Sequence, residues 1–240
     1  MELYLIPWIA GMVALCFYIR EKLGKPTIRA AILKDLSSIG FFFTAIACMY
    51  TVTREGDAGA FGWLLLLGSF FGVQGDVWLS FKYLYKAQAW LYTFVGIGMF
   101  AAGHIFYIAA LLISFGKEVG GVTIGIPVAM GVLIGIATGM LEKKVKLEFG
   151  RFKYTVMAYA GLLSMTMFLS GAFAVSFHWQ NPVLDVMFVA MVLFAVSDVI
   201  LSRTYFSKRE RTPALLLANY ITYYGAQYVL AFSILLTVEM

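Results

Sequence analysis

The hydrophobic positions of this chain form long continuous runs, and short polar stretches separate them. The runs do not alternate with polar residues, so they predict helices, which satisfy every backbone group within lipid, and not the strands of a barrel. A spanning helix needs about 20 apolar residues. Eight runs approach or exceed this length: Tyr4–Tyr18, Leu33–Thr53, Phe61–Phe81, Ala89–Phe115, Val122–Leu141, Tyr154–Phe177, Val183–Leu201 and Ala214–Val238. The pattern therefore predicts an all-α polytopic membrane protein with eight transmembrane helices, in which residues 1–240 form a single integral membrane domain.

The composition agrees with this class, and the charges predict an orientation. Of the residues, 62% are hydrophobic and 13% are charged, which excludes an ordinary water-soluble domain. Of the 18 basic residues, 16 fall in or beside the connections between predicted helices 1 and 2, 3 and 4, 5 and 6, and 7 and 8. By the positive-inside rule these connections are cytoplasmic and both termini are extracytoplasmic. The positive charge therefore predicts contact with membrane lipids, and not with nucleic acid.

The first apolar run and the two cysteines indicate no separate chemistry. Positive charge follows the first run and no small-residue cleavage site is evident, so we expect it to be retained as a helix. Cys16 and Cys48 both lie inside apolar runs, where cysteine behaves as a small hydrophobe. The chain has only two histidines, and neither cysteine has metal-ligand spacing. We therefore predict no metal site and no cofactor.

Two similar hexapeptides place an aspartate deep in predicted helices 3 and 7. GDVWLS spans Gly75–Ser80, and SDVILS spans Ser197–Ser202. Four helices separate them, so the two segments run in the same direction, and each is followed by a basic residue. This agreement predicts a parallel 4+4 internal repeat, a class in which the shared site lies at the repeat interface. Asp76 and Asp198 are then either a functional pair or two structural residues that cap or cross-link helices.

Polar residues in predicted helices 4 and 8 extend this candidate site. Residues three and four apart lie on one face of a helix, so His104 and Tyr107 form one polar stripe and Tyr220, Tyr223 and Gln227 form another. Such stripes also act as interhelical hydrogen-bonding contacts without a catalytic role. If they belong to the site, helices 3, 4, 7 and 8 surround a cavity that opens toward the cytoplasmic side.

At these residues the sequence resembles the YhhN-like lysoplasmalogenase family, integral membrane hydrolases of alkenyl lysophospholipids. The resemblance rests on five short motifs in order along the chain: Lys25-Pro26, Gly75-Asp76, Gly103-His104 with Tyr107, Ser197-Asp198, and Tyr223-Tyr224 with Gln227. It implies a lysophospholipid substrate, catalytic roles for Asp76 and Asp198, and no cofactor. We also expect the bacterial inner membrane as the location. Predicted helices 1, 5 and 6 carry no matching motif.

The implied reaction sets requirements for the two carboxyl groups. Hydrolysis of a vinyl ether begins with proton transfer to the outer vinyl carbon and passes through an oxocarbenium ion, which water captures as a hemiacetal. One carboxyl must therefore stay protonated, and a second stabilises the cation and accepts a proton from water, as in glycosidase pairs. Asp198 has more polar neighbours in sequence, which favours Asp76 as the acid. The residues expected to bind substrate are Lys25, His104, Tyr107, Asn219, Tyr220, Tyr223, Tyr224 and Gln227.

The phosphate of the substrate requires a basic partner near the cytoplasmic interface. Lys25, Arg29, Lys82 and Arg203 are placed there, and Lys25 is the first candidate because it lies in a matched motif. These residues alternatively serve as interfacial anchors that contact only lipid. Asp35 is an interfacial charge near the start of predicted helix 2, and it joins the site if that helix begins directly after Pro26.

Other functional classes fit the sequence less well. A zinc hydrolase lacks the three protein ligands of a typical catalytic site, and a serine hydrolase lacks a GxSxG elbow. A retinal photoreceptor requires a lysine in the middle of helix 7 or 8, and neither has one. A proton-coupled transporter also uses paired intramembrane aspartates and repeats, and it remains the alternative function.

Overall fold

The computed structural model describes residues 2–22, 27–207 and 212–239. Within these ranges the chain forms eight α-helices and three short 3-10 helices, and it contains no β-strand. The α-helices are α1 (Leu5–Lys22), α2 (Ile28–Glu55), α3 (Gly59–Leu84), α4 (Ala89–Phe115), α5 (Gly121–Leu141), α6 (Lys153–Ser176), α7 (Pro182–Phe206) and α8 (Pro213–Ser233). The 3-10 helices are Lys86–Gln88, Gly150–Phe152 and Ile234–Glu239. The all-α prediction is confirmed.

Among the described residues, seven helices, α2 to α8, are long and apolar enough to cross a membrane. α1 differs because its 18 residues end with Arg20, Glu21 and Lys22, which lower its mean hydropathy. The chain is therefore an integral membrane protein, whereas the count of eight spans stays a prediction. The connections between α3 and α4 and between α5 and α6 lie at one end of the bundle, which we call the basic end.

The start of α2 lies earlier than the hydrophobic run that predicted it. The Thr27 side chain accepts a hydrogen bond of 3.0 Å from the Ala30 backbone N–H, which caps the helix and lets Ile28 begin it. Lys34 and Asp35 therefore lie in the second turn of a continuous helix, and not in a loop. The sequence pattern placed the start at Leu33 because charged side chains interrupt the apolar run.

The helices pack mainly on their neighbours in sequence, and contacts of α4 on α6 and of α8 on α2 are the most extensive of those that join the two halves of the chain. α5 packs chiefly on α6. Glycines permit this close approach, since a Cβ at Gly135 would lie 2.7 Å from the Met157 carbonyl oxygen and 3.2 Å from the Gly161 Cα. α5 is therefore held close along one face, and its other faces border lipid and a cavity. The 4+4 repeat stays a prediction.

Candidate active site

Asp76 of α3 is buried in a charge-paired hydrogen-bond network. Its Oδ1 lies 2.7 Å from the Lys34 Nζ of α2, and its Oδ2 accepts hydrogen bonds from Ser38 (2.7 Å) and Tyr223 (2.5 Å). Lys34 also donates to the Asp76 backbone carbonyl over 3.1 Å. Only 4% of the Asp76 side chain is exposed. One cation and two further hydrogen-bond donors therefore surround the carboxyl group of Asp76.

Asp198 of α7 has a different environment. Its carboxylate accepts a hydrogen bond from the Tyr159 hydroxyl of α6. Among the described residues no cation forms an ion pair with it. Asp198 also lines a cavity of about 720 Å³, whereas Asp76 does not. The two carboxyl groups are close enough to interact electrostatically. Asp198 is therefore the carboxyl that a ligand in this cavity can reach.

The cavity has an apolar lining and lies at the basic end of the bundle. Its lining residues come from α3 to α7 and from the α5–α6 connection. None of the described residues of α8 lines it, so the prediction that helices 3, 4, 7 and 8 surround the cavity is wrong for α8 and omits α5 and α6. The reason is that the Tyr223 ring of α8 packs against Phe100 and Phe194 and fills the space between the helices. The cavity forms on the other side of Phe100.

Four aromatic rings separate Asp76 from the cavity, and we call Phe100, Tyr159, Phe194 and Tyr223 the aromatic wall. The Phe100 ring centroid lies 6.4 Å from that of Tyr159 and 6.1 Å from that of Tyr223. Gly75 makes room for this ring, because a Cβ there would lie 2.7 Å from Phe100 Cε2. The glycine before Asp76 therefore admits the Phe100 ring.

The basic residues expected to contact phosphate fall in different places. Arg203 lines the cavity at its basic end and is exposed. The Lys82 Nζ lies 3.4 Å from the centroid of the Tyr205 ring, which lines the same part of the cavity. Arg29 is exposed on α2 and does not line the cavity. Lys25 lies outside the described residues.

The predicted binding residues of α8 belong to the network around Asp76, or to helix packing. The Tyr224 hydroxyl donates to the Lys34 carbonyl over 3.2 Å, and the Gln227 amide donates to the Tyr223 hydroxyl over 3.2 Å. The Asn219 amide donates to both the carbonyl and the hydroxyl of Ser197 over 2.9 Å, which ties α8 to α7.

Three further predicted residues lie within the protein interior. The Tyr220 ring packs 4.9 Å from that of Tyr18, between α8 and α1. His104 and Tyr107 of α4 are 1% and 2% exposed. The His104 Nδ1 lies 3.3 Å from the Thr166 hydroxyl, and its ring packs on Tyr159. None of the described residues predicted to bind substrate lines the cavity. Their role in binding stays a prediction.

Sequence reasoning missed four polar residues of this site. Lys34 and Ser38 are one turn apart on α2, and both reach Asp76. Tyr159 and Thr166 are two turns apart on α6 and contact Asp198 and His104. The residues of each pair have the spacing of side chains that share one face of a helix. This spacing is the signal in the sequence that could have identified them.

Asp35 also joins the site. It accepts a hydrogen bond of 2.6 Å from Ser80, one turn beyond Asp76 on α3. Asp35 reaches this position because α2 begins early, at Ile28 with Thr27 as its cap. An early start of this helix was the condition for Asp35 to join the site.

Comparison with known proteins identifies one family. The model of the YhhN family matches residues 37–234, which includes both aspartates. No curated protein and no solved structure matches the chain. Among the described residues no three histidine, cysteine, aspartate or glutamate side chains lie close enough to hold a metal ion together.

Proposed function

The chain belongs to the YhhN family, and on that premise we propose that it is a lysoplasmalogenase. It hydrolyses the vinyl-ether bond of alkenyl lysophospholipids, with a choline or ethanolamine head group, to a fatty aldehyde and a glycerophospho-alcohol. The observation that carries the proposal is the position of Asp198 in the wall of an apolar cavity, where no described residue forms an ion pair with it. A volume of about 720 Å³ lies within the range of sites for small ligands, about 300–1,000 Å³.

We assign the proton donor to Asp198. No cation among the described residues pairs with Asp198, which lines the cavity, whereas Asp76 pairs with Lys34 and does not line it. The geometry therefore favours Asp198 as the acid, whereas the neighbouring residues in the sequence favoured Asp76. Asp198 transfers its proton to the outer vinyl carbon, and the positive charge of the resulting oxocarbenium ion lies beside the new carboxylate.

The remaining steps return Asp198 to its starting form. Water attacks the oxocarbenium carbon, and the Asp198 carboxylate takes the proton that this water releases, as the acid of a retaining glycosidase does when it becomes the base. The hemiacetal then collapses: its hydroxyl proton passes to the leaving glycerol oxygen by way of the same carboxyl. No net proton is gained or lost, and one water is consumed.

Asp76 acts without contact with the substrate in this scheme. It is a positioning residue, because its carboxylate holds the Tyr223 hydroxyl and thereby fixes one ring of the aromatic wall.

The substrate fits the cavity in one direction. The alkenyl chain lies among the apolar side chains of α4 to α7, and the phosphate lies at the basic end, where Arg203 provides a bidentate donor. The proposal also includes a location in the bacterial inner membrane, with both termini outside. It includes the parallel repeat as well. The repeat is supported by the common depth of the two aspartates on α3 and α7.

The test is a direct assay. Purified protein in detergent is incubated with an alkenyl lysophospholipid, and the released aldehyde is measured. Asp198→Asn is the inactive control, and the lysolipid with an ester-linked chain is the substrate control. Aldehyde release that depends on Asp198 and spares the ester supports the proposal; no release from the wild-type protein, or equal turnover of the ester, overturns it.

Transport is the second candidate, and the continuity of the helices argues against it. α3 and α7, which carry the aspartates, run unbroken through Gly59–Leu84 and Pro182–Phe206. Transporters of the repeat class place their sites at interrupted helices. Proton-coupled uptake by reconstituted vesicles, without aldehyde release, would favour a carrier.

A further inference from the structure

We propose that Ser69, His104, Tyr107 and Gln227 form a buried site for ordered water, and that this site supplies the water consumed in hydrolysis. We call these four residues the polar cluster. The second half of the proposal rests on the proposed function, whereas the first half concerns the molecule alone.

Unpartnered polar atoms identify the cluster. Among the described residues, six buried side-chain nitrogen or oxygen atoms have no hydrogen-bond partner. Four of them are Ser69 Oγ, His104 Nε2, Tyr107 OH and Gln227 Oε1. The other two, on Asp185 and Tyr228, belong to different parts of the fold.

Packing brings the four residues together from α3, α4 and α8. The hydroxyls of Ser69 and Tyr107 lie close to each other without reaching the geometry of a hydrogen bond, and the His104 ring lies 5.7 Å from the Tyr107 ring. The Gln227 amide packs on α3 at Gly72, where a Cβ would lie 3.0 Å from its Nε2. Gly72 follows Ser69 by three residues, so both lie on the same face of α3. The four side chains therefore lie where α4 and α8 pack on α3.

Water is the ligand that these atoms select. A buried polar group without a partner bears the full cost of its lost hydration, and four such groups in one region require a shared partner. Hydroxyls and a histidine nitrogen can donate or accept, whereas Gln227 Oε1 only accepts. An anion would find no cationic side chain among the four, and a metal ion would find one histidine. Buried water, which makes about three hydrogen bonds, matches this mixed set.

The position of the cluster suggests its use. On α3, Ser69 precedes Asp76 by seven residues, which is about 10.5 Å along the axis, away from the basic end. Gln227 donates to Tyr223, which donates to Asp76. The His104 ring packs on Tyr159, which donates to Asp198. The cluster is therefore connected to both aspartates through one tyrosine each.

This arrangement separates lipid from water. The cavity extends from the aromatic wall toward the basic end, and a bound alkenyl chain fills it and excludes solvent. The cluster lies beyond the wall on the opposite side. Water stored there reaches the oxocarbenium carbon beside Asp198 by movement past Tyr159, without crossing the occupied cavity.

The water site is tested by hydroxyl-radical labelling with X-rays and mass spectrometry, because bound water produces radicals where it lies. We expect oxidation of His104 and Tyr107 although they are 1% and 2% exposed. Phe61, which is 1% exposed and packs on Phe115, is the dry control. Labelling of His104 and Tyr107 no greater than that of Phe61 would overturn the site, whether or not the protein releases aldehyde.

The supply of water is tested with a paired variant, Ser69→Ala with Tyr107→Phe, which removes two hydroxyls and keeps the ring. We expect weaker labelling of His104 and a fall in kcat of at least about tenfold with KM unchanged, because two hydrogen bonds to water are lost and each contributes about 1 kcal/mol. Tyr228→Phe is the matched control, since it removes an unpartnered buried hydroxyl outside the cluster. It should leave the labelling and kcat as they are. Lost labelling with normal kcat would refute the supply of water from this site.

Discussion

Asp76→Asn should destabilise the protein, because it removes the partner of a mostly buried cation. The Lys34 ammonium lies 2.7 Å from Asp76 Oδ1, and the two side chains are 16% and 4% exposed. Breaking a buried ion pair from one side costs about 3–5 kcal/mol. The partial exposure of Lys34 places the expected loss near the low end, at about 3 kcal/mol. An isolated buried carboxyl would instead gain from neutralisation, so the ion pair with Lys34 decides the sign of the effect.

Removing both charges should recover this loss. Lys34→Met alone leaves the Asp76 carboxylate without its cation, so it should also cost about 3 kcal/mol. Lys34→Met combined with Asp76→Asn leaves neither charge uncompensated, and it should be more stable than either single variant by at least about 2 kcal/mol. The measurement is a double-mutant cycle of unfolding free energies in mixed micelles, followed by circular dichroism.

Glu142→Gln provides a control, because it removes an ion pair that is more exposed to solvent than that of Lys34 and Asp76. Glu142 accepts a hydrogen bond of 2.9 Å from Lys153, whose side chain is 37% exposed. Solvent screens this pair, so the variant should change stability much less than Asp76→Asn does. If the two losses at Lys34 and Asp76 simply add in the double variant, the two residues do not act as a pair and the reasoning fails.

Three further changes test the site by aldehyde release and unfolding. Asp198→Asn should lower turnover by a factor on the order of 100 or more, with stability nearly unchanged because no ion pair is broken; near-normal turnover would exclude it as the acid. Tyr159→Phe should lower kcat about tenfold through loss of one hydrogen bond to Asp198, and an unchanged kcat would show that this bond is structural. Ala160→Phe places a ring in the cavity and should raise KM more for long than for short alkenyl chains; an equal effect on all lengths would contradict the assigned path of the chain.

The elements of the fold were predictable because a membrane helix is a long apolar run. The predicted bounds of α4, Ala89–Phe115, agree with the structure, and those of α5 and α6 differ by one residue. α2 and α7 extend beyond their runs by five residues, at Ile28 and Phe206. Charged side chains in a terminal turn lower the local hydropathy without ending the helix, since its backbone hydrogen bonds continue and a cap satisfies its first N–H groups.

The partners of the two aspartates were less predictable, because they depend on which faces of the packed helices meet. Lys34 reaches Asp76 because α2 packs on α3, and Tyr159 reaches Asp198 because α6 packs on α7. Hydropathy describes which residues leave water and carries no information on which side chains meet across a helix contact. For this reason the different partners of the two aspartates could not be predicted from their similar hexapeptides.

The difference between the two carboxyl groups follows from one ion pair. A carboxyl group beside a cation and two donors, buried outside the cavity, is held by its partners before any substrate binds. A carboxyl group with one tyrosine partner in an apolar cavity is the one that a bound substrate can reach. In the proposed mechanism the same hexapeptide pattern therefore provides a positioning residue on α3 and an acid on α7, and the ion pair with Lys34 distinguishes the two.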